Sequence, residues 1–310
     1  MTLSSFFQLV RWKNLVMIAL IQILFKYVYF PSFSVDTALS NFTFAILVFT
    51  TLIIAAAGYI MNDIYDVEAD KINKPTKVLV SRKISKKQAN FLYNIFNSIG
   101  LLCGLYVAHT VDKLSFVAIF VITILLLKVY NSDLKKRPII GNVIVSLLVS
   151  MSILIVGVFD IIPMVTEEND INQYYAFRVL IDYAVFAFIF MLLREMVKDA
   201  EDVNGDKYMN MKTLPIILGR KRANTVIFAL SFFPLIIITF YSFNSFSNVP
   251  FVLAYMLIVV LMPLLYFMTK ILYAKSKKDY IRASRLLKLI MLLGIFSIVI
   301  LSLTIYYADR

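Results

Sequence analysis

SNFTFAILVFTTLIIAAAGYIM, residues 40–61, runs directly into NDIYDVEADK, residues 62–71. The first stretch holds no charged residue, whereas the second carries Asp63, Asp66, Glu68 and Asp70. A helix needs about 20 apolar residues to cross the hydrocarbon core of a bilayer, so residues 40–61 are long enough to span. The acids at the mouth of that span are the feature that needs a reason.

The rest of the chain repeats the apolar pattern. Its 310 residues are 61% hydrophobic, with a mean hydropathy of +0.82, where a soluble domain is about half apolar. Spans are expected at 14–32, 40–61, 91–109, 115–131, 140–162, 176–194, 224–242, 250–273 and 287–307. The expected fold is all-α: a polytopic bundle of nine transmembrane helices, forming one integral membrane domain over residues 1–310. A membrane barrel is excluded, because it shows short alternating strands instead. The first apolar run is too long, and too far from the N-terminus, for a cleaved signal peptide.

Charge orients the bundle. The segments 1–13, 62–90, 128–139, 194–222 and 270–288 hold 27 of the 31 basic residues, leaving only Lys26, Lys113, Arg178 and Arg310 elsewhere. The positive-inside rule puts those segments and the N-terminus in the cytoplasm, and the C-terminus outside. The net charge of +12 therefore marks a face of the cell (inner) membrane and its anionic lipids, not a nucleic-acid partner. Cys103 and His109 are single, which excludes a disulfide, a His-based catalytic triad and an ordinary zinc site.

The acidic text recurs. DIYDVEADK, from Asp63, and DAEDVNGDK, from Asp199, both read D-x-x-D-V-x-x-D-K and lie 136 residues apart on the same side of the membrane. On a helix, Asn62, Asp63, Asp66 and Asp70 fall within an arc of about 100°. Asp199, Asp202 and Asp206 fall within a narrower one if the helix persists past Gly205. Six converging carboxylates repel one another unless a cation lies between them. Oxygen ligands alone select a hard cation, Mg²⁺ or Ca²⁺, and the spacing does not fit an EF-hand. Facing motifs of this kind suit a pair of Mg²⁺ ions gripping a diphosphate, where the metal stabilises the leaving charge. Neutralising such a site takes roughly five further cations, and Lys71, Lys74, Lys77, Arg82, Lys135, Lys136, Arg137, Arg194 and Lys198 are candidates. Apolar, aromatic-rich spans beneath the site suit the tail of an isoprenoid diphosphate and a hydrophobic acceptor. Aromatic faces also shield the allylic cation left when diphosphate departs.

These residues resemble the UbiA-type intramembrane prenyltransferases over nearly the whole chain. NDIYDVEADKINKP resembles the family's first motif, and REMVKDAEDVNGDKYMNMKTLPIILG its second. YNSDLKKRPIIGN resembles a third family segment, and RWKNL the entry to its first helix. The resemblance implies Mg²⁺ ligands at Asn62, Asp66, Asp202 and Asp206. Asp63 would support the metal site, with Asp70 and Asp199 as catalytic, water-mediated or acceptor-activating groups. It implies diphosphate contacts from Lys77, Tyr130, Lys136, Arg194 and Lys198, with Asn131 and Asn14 in the same cavity. Within the family, REMVKDAEDVNGD resembles the branch that transfers a geranylgeranyl group to geranylgeranylglyceryl phosphate in ether-lipid synthesis. Tyr208-Met209-Asn210 departs from the small residues frequent after the last Asp, so prenylation of a quinone precursor stays open. Two rivals outside the family are weaker. A divalent-ion transporter needs acids continuing through the later spans, and a CDP-alcohol phosphotransferase needs a D-G-x-x-A-R core that is absent here.

Overall fold

A helix crosses a bilayer because its backbone groups satisfy one another in the absence of water. The computed structural model describes residues 2–308, with side chains through residue 304. The described residues contain nine helices long and apolar enough to cross a membrane. They are Trp12–Ser32, Asn41–Tyr65, Lys86–Thr110, Leu114–Ser132, Ile140–Met164, Asp170–Tyr208, Arg220–Phe246, Pro250–Leu272 and Lys277–Thr304. Each coincides with an expected span, and the chain is an integral membrane protein. Arg310, at the C-terminus whose sidedness was inferred above, lies outside the described residues.

The ends of the spans follow local chemistry. Ser40 caps the second span by accepting from the Thr43 backbone N–H, at 3.2 Å. Ser85 and Gln88 form a reciprocal capping box at the start of the third. The second span breaks at Asp66 (φ −91°, ψ 6°), and a short helix, Val67–Asn73, follows. The first acidic motif is therefore bent at Asp66, where one continuous helix face was expected. The sixth span differs in the other direction. It was expected over 176–194 but runs through Gly205 to Tyr208, a total of 39 residues. At 1.5 Å per residue that is about 58 Å, against a hydrocarbon core of about 30 Å. Its polar end projects beyond the apolar layer and carries the second motif.

Small residues set the packing, as they do where lipid and protein are equally apolar. At Gly104 of the third span an added Cβ would stand 2.5 Å from the Phe120 ring of the fourth. Two buried apolar clusters fill the bundle. The sixth and ninth spans contribute to both, Ala184 and Ile298 to one and Phe190 and Ile290 to the other.

At the end of the bundle remote from the motifs, the structure explains Lys26. Its ammonium donates to Asp160 Oδ1 at 2.9 Å and to the Leu39 carbonyl at 2.8 Å. Both side chains are buried, at 7% and 0% exposure. Asp160 also accepts from the Leu39 N–H, so the pair ties the first and fifth spans to the loop before the second. Removing one member leaves a buried charge without its partner. Lys26→Met should lower stability in detergent by about 3–5 kcal/mol, and Lys26→Met with Asp160→Asn should recover most of it. Equal losses in the single and double variants, read by thermal unfolding, would contradict this role.

Candidate functional site

The two acidic motifs meet at the projecting end of the sixth span. The short helix Val67–Asn73 lies against it, and Asn73 makes the join. Its amide donates to the Asp202 carbonyl at 2.8 Å, and its side-chain oxygen accepts from the Gly205 N–H at 2.9 Å. An added Cβ at Gly205 would stand 2.3 Å from Asn73 Nδ2 and 2.6 Å from the Ala69 carbonyl. Glycine is what lets the second motif's backbone approach the first so closely.

Around this contact Asp63, Asp66, Asp199 and Asp202 each find a cation or an amide. Arg11 reaches Asn62 Oδ1 and, at 3.1 Å, Asp63 Oδ1. Arg11 holds left-handed backbone geometry (φ 51°), uncommon for a residue with a side chain, and its guanidinium lies 4.9 Å above the Tyr59 ring. Asn62 donates to Asp66 Oδ2 at 2.7 Å and to the buried Asn131 at 3.3 Å. The other Asp66 oxygen pairs with Lys135. Lys74 reaches across to Asp202 Oδ2 at 2.6 Å. Asp199 accepts from Asn142 at 2.8 Å. Asp206 is half-buried one turn beyond Asp202, and Tyr130 is half-buried at the end of the fourth span.

The electrostatics show that the motifs share one environment. Burial pushes the Asp70 carboxyl up to about 6, and Asp66, Asp63 and Asp202 push it the same way, while Lys74 opposes them. Asp202 belongs to the other motif, so its field crosses the gap. Burial lowers the Lys74 ammonium, but Asp202, with Glu201 and Asp70, more than reverses that and raises it.

Several expected diphosphate contacts are placed differently from the sequence reading. Lys77 and Lys136 are exposed; the neighbouring Lys74 and Lys135 turn into the site instead. Arg194 and Lys198 share Glu195, with Arg194 Nη1 at 3.2 Å from it, so both are already partly neutralised. Asn14 lies on the far side of Tyr59, donating to its hydroxyl at 3.3 Å. Lys74 and Lys135 are among the cations expected from the sequence, whereas Arg11, Asn73, Asn142 and Glu195 are site residues that the motif spacing did not single out. A basic or amide residue beside each acid was the available signal, but which neighbour turns inward depends on the break at Asp66.

The donor set fits Mg²⁺. Asp202 Oδ1 is buried without a hydrogen-bond partner, and such an atom is costly unless something cationic meets it. Among the described residues no three carboxylates, histidines or cysteines close around one point. Mg²⁺ is commonly held by one or two carboxylates together with phosphate oxygens and water.

An all-helical membrane bundle with two facing acidic motifs defines an intramembrane enzyme class, and comparison with known proteins gives the family. The UbiA prenyltransferase family matches residues 19–291; the chain belongs to this family and is a prenyltransferase. It is 30% identical over 303 residues to the digeranylgeranylglyceryl phosphate synthase of Methanococcoides burtonii, covering 96% of this chain and 99% of that one. It is also 30% identical over 312 residues to the synthase of Saccharolobus solfataricus, covering 99% of each. A solved digeranylgeranylglyceryl phosphate synthase superposes with a TM-score of 0.63 at 26% identity, over 96% of this chain and 97% of that one. A UbiA homolog from Archaeoglobus fulgidus, solved with DMAPP and Mg²⁺, shares the fold with a TM-score of 0.57 at 15% identity, over 95% of this chain and 99% of that one.

Two substitutions test the site. Gly205→Ala should cost about 1–3 kcal/mol, as overpacking does, and should reduce turnover, because the collision separates the motifs. Unchanged thermal stability and turnover would show that the motifs do not depend on this contact. Asp66→Ala and Asp202→Ala should each insert normally and lose at least ~10²-fold in turnover, the scale of losing one transition-state stabiliser. Full activity in either variant, assayed as diphosphate release, would count against a shared site.

Proposed function

We propose that the chain joins a geranylgeranyl group to the free hydroxyl of geranylgeranylglyceryl phosphate, forming the second ether bond of an archaeal-type lipid. The observation that carries this reading is a pair of largely apolar pockets among the membrane spans. One lies among the first, fifth, sixth and ninth spans. The other, the roomier, lies among the sixth to ninth. They share Tyr183 and Phe186 as a wall. Donor and acceptor in this reaction each bring a long apolar chain, so two adjoining cavities suit them, whereas a flat aromatic acceptor needs only one. Similarity over nearly full length to two synthases with that name supports the same choice.

In this reading Asn62, Asp66, Asp202 and Asp206 hold Mg²⁺, and a pair of ions is the expected stoichiometry. Bound there, the metal supplies Lewis-acid stabilisation of the departing diphosphate. Asn73 and Gly205 keep the two ligand sets in register. Lys74 and Lys135, displaced from Asp202 and Asp66 when the carboxylates turn to metal, remain beside the diphosphate and neutralise it. Tyr130, Asn131, Arg194 and Lys198 line the same opening, and Lys77 and Lys136 guard its exposed rim. The allylic carbon–oxygen bond breaks with its electron pair leaving on the diphosphate. The glycerol hydroxyl oxygen bonds that carbon, and its proton passes to a site carboxylate, for which Asp70 and Asp199 are the candidates. Packed spans keep water from the allylic centre.

The motifs face the cytoplasm in this reading. Reporter fusions within 205–215 and at the C-terminus should then report the cytoplasm and the outside respectively, and the same compartment for both would overturn the topology. The substrate assignment is tested by offering purified protein, with Mg²⁺ and geranylgeranyl diphosphate, three acceptors in separate reactions: geranylgeranylglyceryl phosphate, 4-hydroxybenzoate and dihydroxynaphthoate. The glycerol phosphate should be consumed fastest, and a chelator should abolish its consumption. Faster use of either aromatic acceptor would assign the chain to quinone-precursor prenylation.

A further inference from the structure

Most cations at this end of the bundle have a carboxylate. Arg11 has Asp63, Lys74 has Asp202, Lys135 has Asp66, and Arg194 and Lys198 share Glu195. Lys288, on the ninth span, does not follow this pattern. Its ammonium donates to Asn14 Oδ1 of the first span at 2.6 Å, and Asn14 is neutral. The charged groups that bear on it are Arg194 and Lys13, both cationic. A cation held only by a neutral amide in so poorly hydrated a place attracts an anion, and Arg194 and Lys13 add positive field to it.

Two further observations say what kind of anion. The first is the pocket among the first, fifth, sixth and ninth spans described above. Its lining includes Met17, Ile18 and Ile21, which follow Asn14 on the first span, and Met291 and Ile295, which follow Lys288 on the ninth. Residues three, four and seven positions along a helix share a face, so the polar pair caps the apolar cavity directly. A ligand filling both is an amphiphile with an anionic head. The second observation is that Lys288 has no carboxylate beside it that would bring in a metal. A diphosphate belongs with the acids and Mg²⁺; the anion at Lys288 is held without metal, as a phosphate monoester is by cations and amides.

We propose that Lys288, braced by Asn14, is a metal-free subsite for the phosphate monoester of the lipid acceptor. The proposal rests on the acceptor reading above and adds the residues that recognise its head. It also ties the head to the chemistry. Asn14 donates to the Tyr59 hydroxyl at 3.3 Å, Arg11 lies 4.9 Å over the Tyr59 ring, and Arg11 holds Asp63 at 3.1 Å. The acceptor's phosphate and the first acidic motif are thus fixed by one continuous set of contacts, which sets the distance from the head to the attacked carbon.

The test is a cycle between enzyme and substrate, using the full chain in nanodiscs with Mg²⁺ and geranylgeranyl diphosphate. Geranylgeranylglyceryl phosphate is compared with the phosphate-free geranylgeranylglycerol, in the wild-type protein, Lys288→Met and Lys288→Arg. Lys288→Met should raise KM for the phosphorylated acceptor at least about 10-fold, the scale of one hydrogen bond to a charged group. It should leave KM for the donor and use of the phosphate-free acceptor unchanged. Lys288→Arg should retain most of the phosphate preference, which separates recognition from misfolding. If the wild-type protein consumes the phosphorylated acceptor but Lys288→Met keeps the same phosphate preference, the subsite is wrong and the function stands. If Lys288→Met slows both acceptors equally, Lys288 is structural and the proposal falls. If the wild-type protein consumes no glycerol phosphate at all, the acceptor reading fails first and takes the subsite with it.

Discussion

Carboxylates held face to face at the end of an apolar bundle repel one another, and the organisation of this end of the molecule follows from containing that repulsion. The acids come from two motifs that would separate if left to their charges. Asn73 prevents this with two hydrogen bonds to the backbone of the second motif, and Gly205 allows the approach by having no side chain to obstruct it. Because the clasp uses neutral groups, it does not weaken when the charges around it change. The lysines are the groups that would change partners on metal binding. Lys74 and Lys135 lie on the carboxylates that the proposed metal would occupy, so the same side chains neutralise the acids before binding and the diphosphate afterwards. The total charge near the acids stays small in both states, which is what a poorly hydrated site requires.

The bundle has to hold this polar end without paying in stability elsewhere, and it separates the two tasks along the helix axis. The extra length of the sixth span carries the second motif past the hydrocarbon layer, so its acids need not be buried in lipid. At the opposite end the buried pair of Lys26 and Asp160 closes the first, second and fifth spans together. Between the two ends the interior is apolar, and the sixth and ninth spans, which belong to both buried clusters, line both cavities.

Much of the fold was legible in the sequence because hydropathy reports a property of each residue independently of its neighbours in space. All nine spans and the two acidic motifs were visible on that basis. The places where the reading failed depend on the backbone's path. Four residues spaced for one helix face do not share a straight helix, because the chain breaks at Asp66. After that break Lys74 faces the second motif while Lys77 is left in the open, and in the next loop Lys135 turns inward while Lys136 does not. Adjacent lysines are equivalent as text and differ only in direction. Glu195 was equally hidden: within an already acidic stretch nothing marks it as the partner of Arg194 and Lys198 until the helix places all three on one side.

The difference between paired and unpaired cations also bears on how one active site could distinguish two anionic lipids. A diphosphate and a phosphate monoester are both attracted to positive charge, so a uniformly basic opening would bind either head in either place. Carboxylates change that. Where acids accompany the cations, a bare phosphate is repelled and is welcome only with a metal to bridge it. Where a cation stands with a neutral amide, as at Lys288 and Asn14, an anion is attracted with no metal needed, and bringing a metal in would add repulsion to the charge already present. Acids on one side and amides on the other therefore give the two heads opposite preferences, and the order of the substrates in the site follows from charge rather than from shape alone.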